Sequence, residues 1–301
     1  MLFDFNKNLT SIPTVYWFIS MDIFEIICNC IVVILSLGIL FLIVFLRRCH
    51  TISMLLVGNS CLSILAVALV LINCSIFSLK NDFNETYFED MYCTFRGYLL
   101  NSLAAPIYYS FFLQSFYRYI SIVYPACFLC NSIVFQLFSI VFTWLFGFVH
   151  SIPYFVRNEI VYNFDNQICQ VPLRISWLSM YISFMIYVLP LTLTIIVYFN
   201  LVKYVKQLRR HIFPRKKFRR ARKELKMVRR TITLILILTI VCFPMMIFLF
   251  LSLFNRQPRY HFRIGYSFIS ISLIFVLITL FYYNRPLRKS FIQIPKMKNS
   301  S

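Results

Sequence analysis

Seven stretches of the chain carry no charged residue: Ile26–Leu46, Thr51–Leu79, Gly97–Tyr117, Ser132–Val156, Ile175–Val202, Thr231–Asn255 and Ile264–Asn284. Each is long enough to cross the ~30 Å hydrocarbon layer of a bilayer, which takes roughly 20 helical residues. In lipid an unpaired backbone N–H or C=O finds no water, so each stretch is expected to be a helix. The period-two alternation of a membrane β-barrel is absent. The pattern predicts an all-α membrane protein, a seven-transmembrane helix bundle. Its connections on one side are 1–20, Lys80–Tyr92, Arg157–Arg174 and Arg256–Arg263. On the other side are Arg47–His50, Pro125–Asn131 and a long basic loop centred on Phe213-Pro-Arg-Lys. After the last span, Leu287, Phe291 and Ile292 are interleaved with basic residues, which predicts a short amphipathic C-terminal helix lying on the membrane. The expected organisation is an N-terminal segment 1–20, a bundle 21–284 and a tail 285–301.

Composition agrees. Hydrophobic residues make up 60% of the 301, glycines number only five, and mean hydropathy is +0.76. A soluble chain of this size carries far more polar surface. The net charge of +20 raises the question of nucleic acid, and its placement argues against it. Fourteen Lys/Arg and one acid, Glu224, lie between Lys203 and Arg230. With Arg47, Arg48, Arg118 and five in the last eighteen residues, 22 of 30 basic residues fall on one side of the expected membrane. That asymmetry orients the chain with its N-terminus outside and its C-terminus in the cytosol. The basic loop also suits anionic lipid of the inner leaflet. No cleavable signal peptide is evident, so the first span is expected to act as an uncleaved anchor. Sequons at Asn8 and Asn84 fall in segments assigned to the outside and are expected glycosylation sites. Asn73-Cys-Ser lies at the end of the second span and is expected to be unused.

Of ten cysteines, Cys28, Cys30, Cys49, Cys61, Cys74, Cys127, Cys130 and Cys242 fall in spans or on the cytosolic side, where thiols stay reduced. Cys93 and Cys169 share the oxidising side, which permits a bridge closing a loop of about 75 residues. Cys127 and Cys130 form one isolated CxxC, too little for a zinc site. The four histidines (50, 150, 211, 261) show no His-Glu-x-x-His, the spans hold no close carboxylate pair, and no glycine-rich phosphate loop exists. No metal, cofactor or enzymatic activity is expected. Arg118 stands at the cytosolic edge of the third span. It lies 25 residues, or about 37 Å of helix, after Cys93. A cation there needs a partner. The one cytosolic acid, Glu224, sits at the foot of the sixth span and would clamp spans three and six. The alternative is that Arg118 snorkels to lipid phosphate.

Taken together, these residues resemble the rhodopsin-like (class A) G-protein-coupled receptors over nearly the whole chain. Arg118 in Tyr-Arg-Tyr, with Pro125 downstream, is similar to the family's Asp-Arg-Tyr motif. Cys93 and Cys169 fit its outer disulfide. Trp144 with Pro153, Pro190 with Tyr198, and Pro244 with Glu224 twenty residues earlier match helices four, five and six. The resemblance implies a plasma-membrane receptor that passes an extracellular ligand signal to a heterotrimeric G protein by movement of helix six. It implies switch roles for Arg118, Tyr119, Glu224, Tyr198 and Pro244. It places a ligand pocket near Leu100, Asn101, Ala104, Met245, Leu249, Tyr266 and Ser270. Leu100 stands where amine receptors carry an aspartate, so the expected ligand is a peptide or an apolar small molecule rather than a biogenic amine.

The departures are as plain. Tyr117 replaces the acid beside the arginine. Span two has Ser63 or Ile64 where the family keeps a sodium-binding aspartate. Val241-Cys242-Phe243-Pro244 lacks the aromatic switch, and Val276–Leu280 replaces Asn-Pro-x-x-Tyr. Span two holds no acid at all, so sodium modulation is not expected. The alternatives are a receptor-shaped protein that does not couple to G proteins and, more distantly, a transporter. A transporter would carry intramembrane charges and glycine-broken helices, which the charge-free stretches lack.

Overall fold

A computed structural model describes residues 5–46, 49–84, 90–125, 132–172, 176–210, 215–241, 247–248, 250–252, 254, 256, 258, 260–284 and 287–288. Within these, the side chains of 5–16, 209–210, 215–218, 220–221, 223–224, 230 and 238–241 are not described. Seven rods follow in order: α1 (Phe5–Phe45), α2 (Ile52–Asn84), α3 (Cys93–Val123), α4 (Ile133–Val156), α5, α6 (Arg215–Val241) and α7 (His261–Tyr283). The fifth is composite. It comprises Trp177–Ser183, a widened π turn Phe184–Val188, and Leu189–Arg210. Pro190, which has no N–H to continue the i→i−4 ladder, follows directly on that turn.

α1 packs on α2 and α7, α7 on α6, and α6 on α5. The central α3 touches α2, α4, α5 and α6, so the ring closes around it. Five rods are long and apolar enough by length and composition to span a membrane: α1 from Trp17, α2, α4, α5 and α7. α3 is less apolar because it is the inner helix. Its Ser102, Ser110, Gln114 and Ser115 are buried against neighbours rather than facing lipid. The apolar end of α6 continues into residues outside the description. Large apolar side chains such as Ile34, Val44, Val134, Phe138 and Phe199 point outward, each more than half exposed. This is the inverted surface expected of a bundle solvated by hydrocarbon.

The charge-free stretches end several helices too early. α2 runs through Lys80 to Asn84, and α7 begins at His261. Asp22, Asp82 and Arg263, assigned to rims and connections by their charge, are therefore helical and buried. Charges end a helix only when they must reach water, and these reach each other instead. Asn84 is exposed at the end of α2, while Asn8 lies in α1 with its side chain outside the description. The C-terminal amphipathic helix falls mostly outside the described residues. Its first turn holds Leu287 fully buried in the core and Arg288 over the Tyr282 ring at 5.7 Å.

Between α4 and α5 the chain forms a two-stranded antiparallel hairpin, β1 (Val161–Asn163) and β2 (Ile168–Gln170), that the sequence pattern does not reveal. Tyr162 opposes Cys169. The turn is set by Asn163, whose Oδ1 accepts from the Asn166 N–H at 3.0 Å, and by Gln167 at φ 54°. Cys93 and Cys169 are joined as a disulfide, with Cα atoms 5.3 Å apart. The hairpin is thereby fixed over the top of α3. Gly97, one turn below Cys93, leaves room for the Cys169 carbonyl, which a Cβ there would strike.

Candidate functional site

Among the described residues, polar side chains gather at three places in the bundle: under the hairpin at the disulfide end, at the basic end, and between the two.

Under the hairpin a cavity of about 100 Å³ lies between α2, α3, α5 and α7. Its walls are apolar, with Val67, Leu71, Leu100, Ile107 and Leu273 among them. Across its mouth the Gln170 amide forms a strap. Asn101 Nδ2 donates to Gln170 Oε1 at 2.9 Å, and Gln170 Nε2 donates to the Tyr266 hydroxyl at 2.5 Å. One side chain following Cys169 thus links α3 to α7. Of the seven residues expected at a pocket, Leu100, Asn101, Ala104 and Tyr266 line this cavity. Ser270 turns the other way, donating to the Tyr266 carbonyl and accepting from Asn29 Nδ2 at 2.9 Å. Met245 and Leu249 lie outside the described residues.

Beside the cavity is a buried ionic strut. Arg263 holds Asp82 with both guanidinium ends, at 2.6 and 3.2 Å, and reaches Asp22 at 3.3 Å. Its Nε donates to the Asn166 carbonyl at 3.3 Å, and Asn166 Oδ1 caps the start of α7 by accepting from the Phe262 and Arg263 N–H groups. Gln167 donates to Asp82 at 2.5 Å, and the Phe18 ring lies 4.9 Å from the guanidinium. The strut therefore joins α1, α2, α7 and the hairpin turn. Sequence reasoning missed it because each member read as a rim charge. The only available signal was that the chain has few acids, and two of them sit in the first span's approach.

At the basic end Arg118 is 6% exposed. It shares a small gap of about 20 Å³ with Gln114 of α3, Met227, Thr231 and Leu234 of α6, and Leu280, Tyr283 and Asn284 at the end of α7. Met227, Thr231 and Leu234 repeat at helical spacing and define the face of α6 turned to Arg118. Glu224 occupies the position three residues before Met227, on that same face. Its side chain is outside the description, as is Pro244. Tyr119 and Tyr198 pack together with Tyr204 and Leu225 around a separate apolar cluster of Ile122, Leu201, Val205, Leu208 and Val228. This cluster fastens α3 to α5 and α6.

Between the two ends, Ser63 and the buried Ile64 stand where an acid would be expected in span two, and a neutral network lies nearby. Gln114 Nε2 donates to Ser60 Oγ at 2.7 Å, Ser60 donates to Ser110 Oγ at 2.7 Å, and Ser110 donates to the Ile107 carbonyl. Ser63 bonds the Asn59 carbonyl. The network carries no charge and consumes its own donors. Nearby, Trp144 Nε1 donates to Asn59 Oδ1 at 2.9 Å, tying α4 to α2.

A family model described as 7 transmembrane receptor (rhodopsin family) matches residues 25–284. Among solved structures the chain is similar to squid rhodopsin, with a TM-score of 0.76 at 16% identity, covering 94% of this chain and 86% of that one. No curated protein sequence matches it. The structural likeness carries the fold, a seven-helix bundle, and the family model carries the family.

Proposed function

Because the chain belongs to the rhodopsin family of seven-transmembrane receptors, we propose that it takes a ligand at its disulfide end and drives a cytosolic G protein at its basic end. Segment 1–20 and the hairpin face outward, the bundle spans 21–284 of the plasma membrane, and the tail 285–301 lies in the cytosol, as the basic asymmetry requires. Glycans are carried on Asn8 and Asn84.

The observation that carries this reading is the burial of Arg118 against the Met227–Thr231–Leu234 face of α6, on which Glu224 is the next position. In the resting state Arg118 and Glu224 pair and hold α3 and α6 together. Ligand binding in the outer half swings the inner end of α6 away about Pro244, which removes one helical hydrogen bond. Arg118, with Tyr119, Tyr198 and the basic loop, then meets the G protein. The ligand contacts Leu100, Asn101, Ala104 and Tyr266 in the cavity, Met245 and Leu249 are added from the family pattern, and Ser270 acts from behind the wall through its bond to the Tyr266 carbonyl. Those walls offer a ligand no unpaired charge. A peptide side chain or an apolar small molecule suits them, and a biogenic amine finds no carboxylate at position 100.

Replacing Glu224 by Ala in a well-expressed receptor tests the lock. Basal nucleotide exchange on a panel of G proteins is expected to rise several-fold. Unchanged basal exchange removes the lock from the account. Tyr117 in place of the motif's acid supports a second reading, a receptor-shaped protein that does not couple. Under that reading no member of the panel responds to either form.

A further inference from the structure

The ionic strut leaves its end of the bundle short of positive charge. Three carboxylates, Asp22, Glu25 and Asp82, are buried there among the described residues, against one buried guanidinium, Arg263. Arg263 is committed to Asp82 and Asp22. Glu25, nearly one turn further along α1, is 4% exposed, and its Oε1 accepts no hydrogen bond from any described group. Four residues on, Asn29 is fully buried. Its Nδ2 donates to the Glu25 carbonyl and to Ser270 Oγ, both at 2.9 Å, which fixes the amide's orientation. Asn29 Oδ1 is then left as a second buried acceptor with no donor. Ser75 of α2 stands beside the Glu25 carboxylate. Two buried acceptors without a donor are satisfied by a bound cation or, at Glu25, by its own proton.

We propose that Glu25 Oε1 and Asn29 Oδ1 are ligand atoms of a binding site for a small monovalent cation, with sodium as the occupant, between α1, α2 and α7. One carboxylate among neutral oxygens suits a single charge. Calcium-type sites gather several carboxylates, and no cluster of three His, Cys, Asp or Glu able to hold a metal occurs among the described residues. The occupant is a free ion rather than the ammonium head of a ligand, because Glu25 is not part of the cavity wall. Tyr266, which does line the cavity, lies within electrostatic reach of Glu25. The ion would brace the same three helices that Arg263 joins. The site is distinct from the family's mid-bundle position, where this chain has the neutral Ser63 and Ile64. It requires neither ligand nor G protein, so its failure would leave the proposed receptor function standing.

The test uses the purified full chain in detergent, with thermal unfolding followed in sodium chloride and in N-methylglucamine chloride at equal ionic strength. Sodium is expected to raise the wild-type midpoint saturably, by about 3 °C or more. Glu25→Gln abolishes the difference between the salts, whatever its own midpoint. Asp22→Asn keeps the difference, because Asp22 supplies no ligand atom. Equal wild-type midpoints in the two salts would overturn the site, since a proton then neutralises Glu25. Retention of the full sodium rise by Glu25→Gln would overturn it too. So would loss of the rise in Asp22→Asn as complete as in Glu25→Gln, which would report net field rather than coordination. A rise with methylammonium chloride equal to that with sodium would overturn the free-ion assignment.

Discussion

At the scale of single residues, Arg263 decides the most. A buried guanidinium between two carboxylates is held by geometry, and removing one partner leaves the others charged and unpaired. Arg263→Met is expected to destabilise the receptor by about 3–5 kcal/mol, read as a lowered unfolding midpoint in detergent. Adding Asp82→Asn to it should recover part of the loss, because one uncompensated carboxylate disappears. A double variant no more stable than Arg263→Met would show that the strut contributes packing rather than charge pairing. The residue scale is also where the sequence was least legible. Leu100, Asn101, Ala104 and Tyr266 meet around one cavity. Gln170 gave no signal, since nothing local marks an amide that must span from α3 to α7. Asp22 and Arg263 are 241 positions apart, and no pattern in a single chain pairs them.

At the scale of elements, the helices are placed by apolar length and adjusted by small residues. The stretches read from charge gave the middles of the rods correctly and their ends poorly, because a charge that finds a buried partner does not terminate a helix. The hairpin was illegible for a different reason. Its strands are three residues each, too short for alternation to register. The crossing of α3 and α4 depends on Gly147. A Cβ at that position would come within 2.6 Å of the Ser102 carbonyl oxygen and 2.8 Å of Pro106 Cδ. Neither backbone nor proline ring can rotate aside, so Gly147→Ala should force the helices apart. The expected cost is about 1–3 kcal/mol, the range for overpacked cores. Circular dichroism melts in detergent would check it, and a variant as stable as wild type would mean that the crossing is looser than the distances indicate.

At the scale of the whole molecule, the bundle exposes many large apolar side chains and buries serines, asparagines and a few charged side chains within an apolar core. That surface is why the charge-free stretches, with composition in agreement, were enough to read the fold class. The same composition is silent on signalling, which depends on whether α6 can leave α3. The disulfide-end strut and hairpin fix α1, α2, α3 and α7 to one another. The proposed Arg118–Glu224 pair restrains the basic end of α6. The most direct measurement places spin labels at Tyr124, exposed at the end of α3, and Lys226, exposed on α6, in an otherwise label-free receptor. Distance distributions are then compared between the parent and Glu224→Gln. The account predicts a single short population in the parent and a second, longer one in the variant. Identical distributions in the two proteins would contradict it.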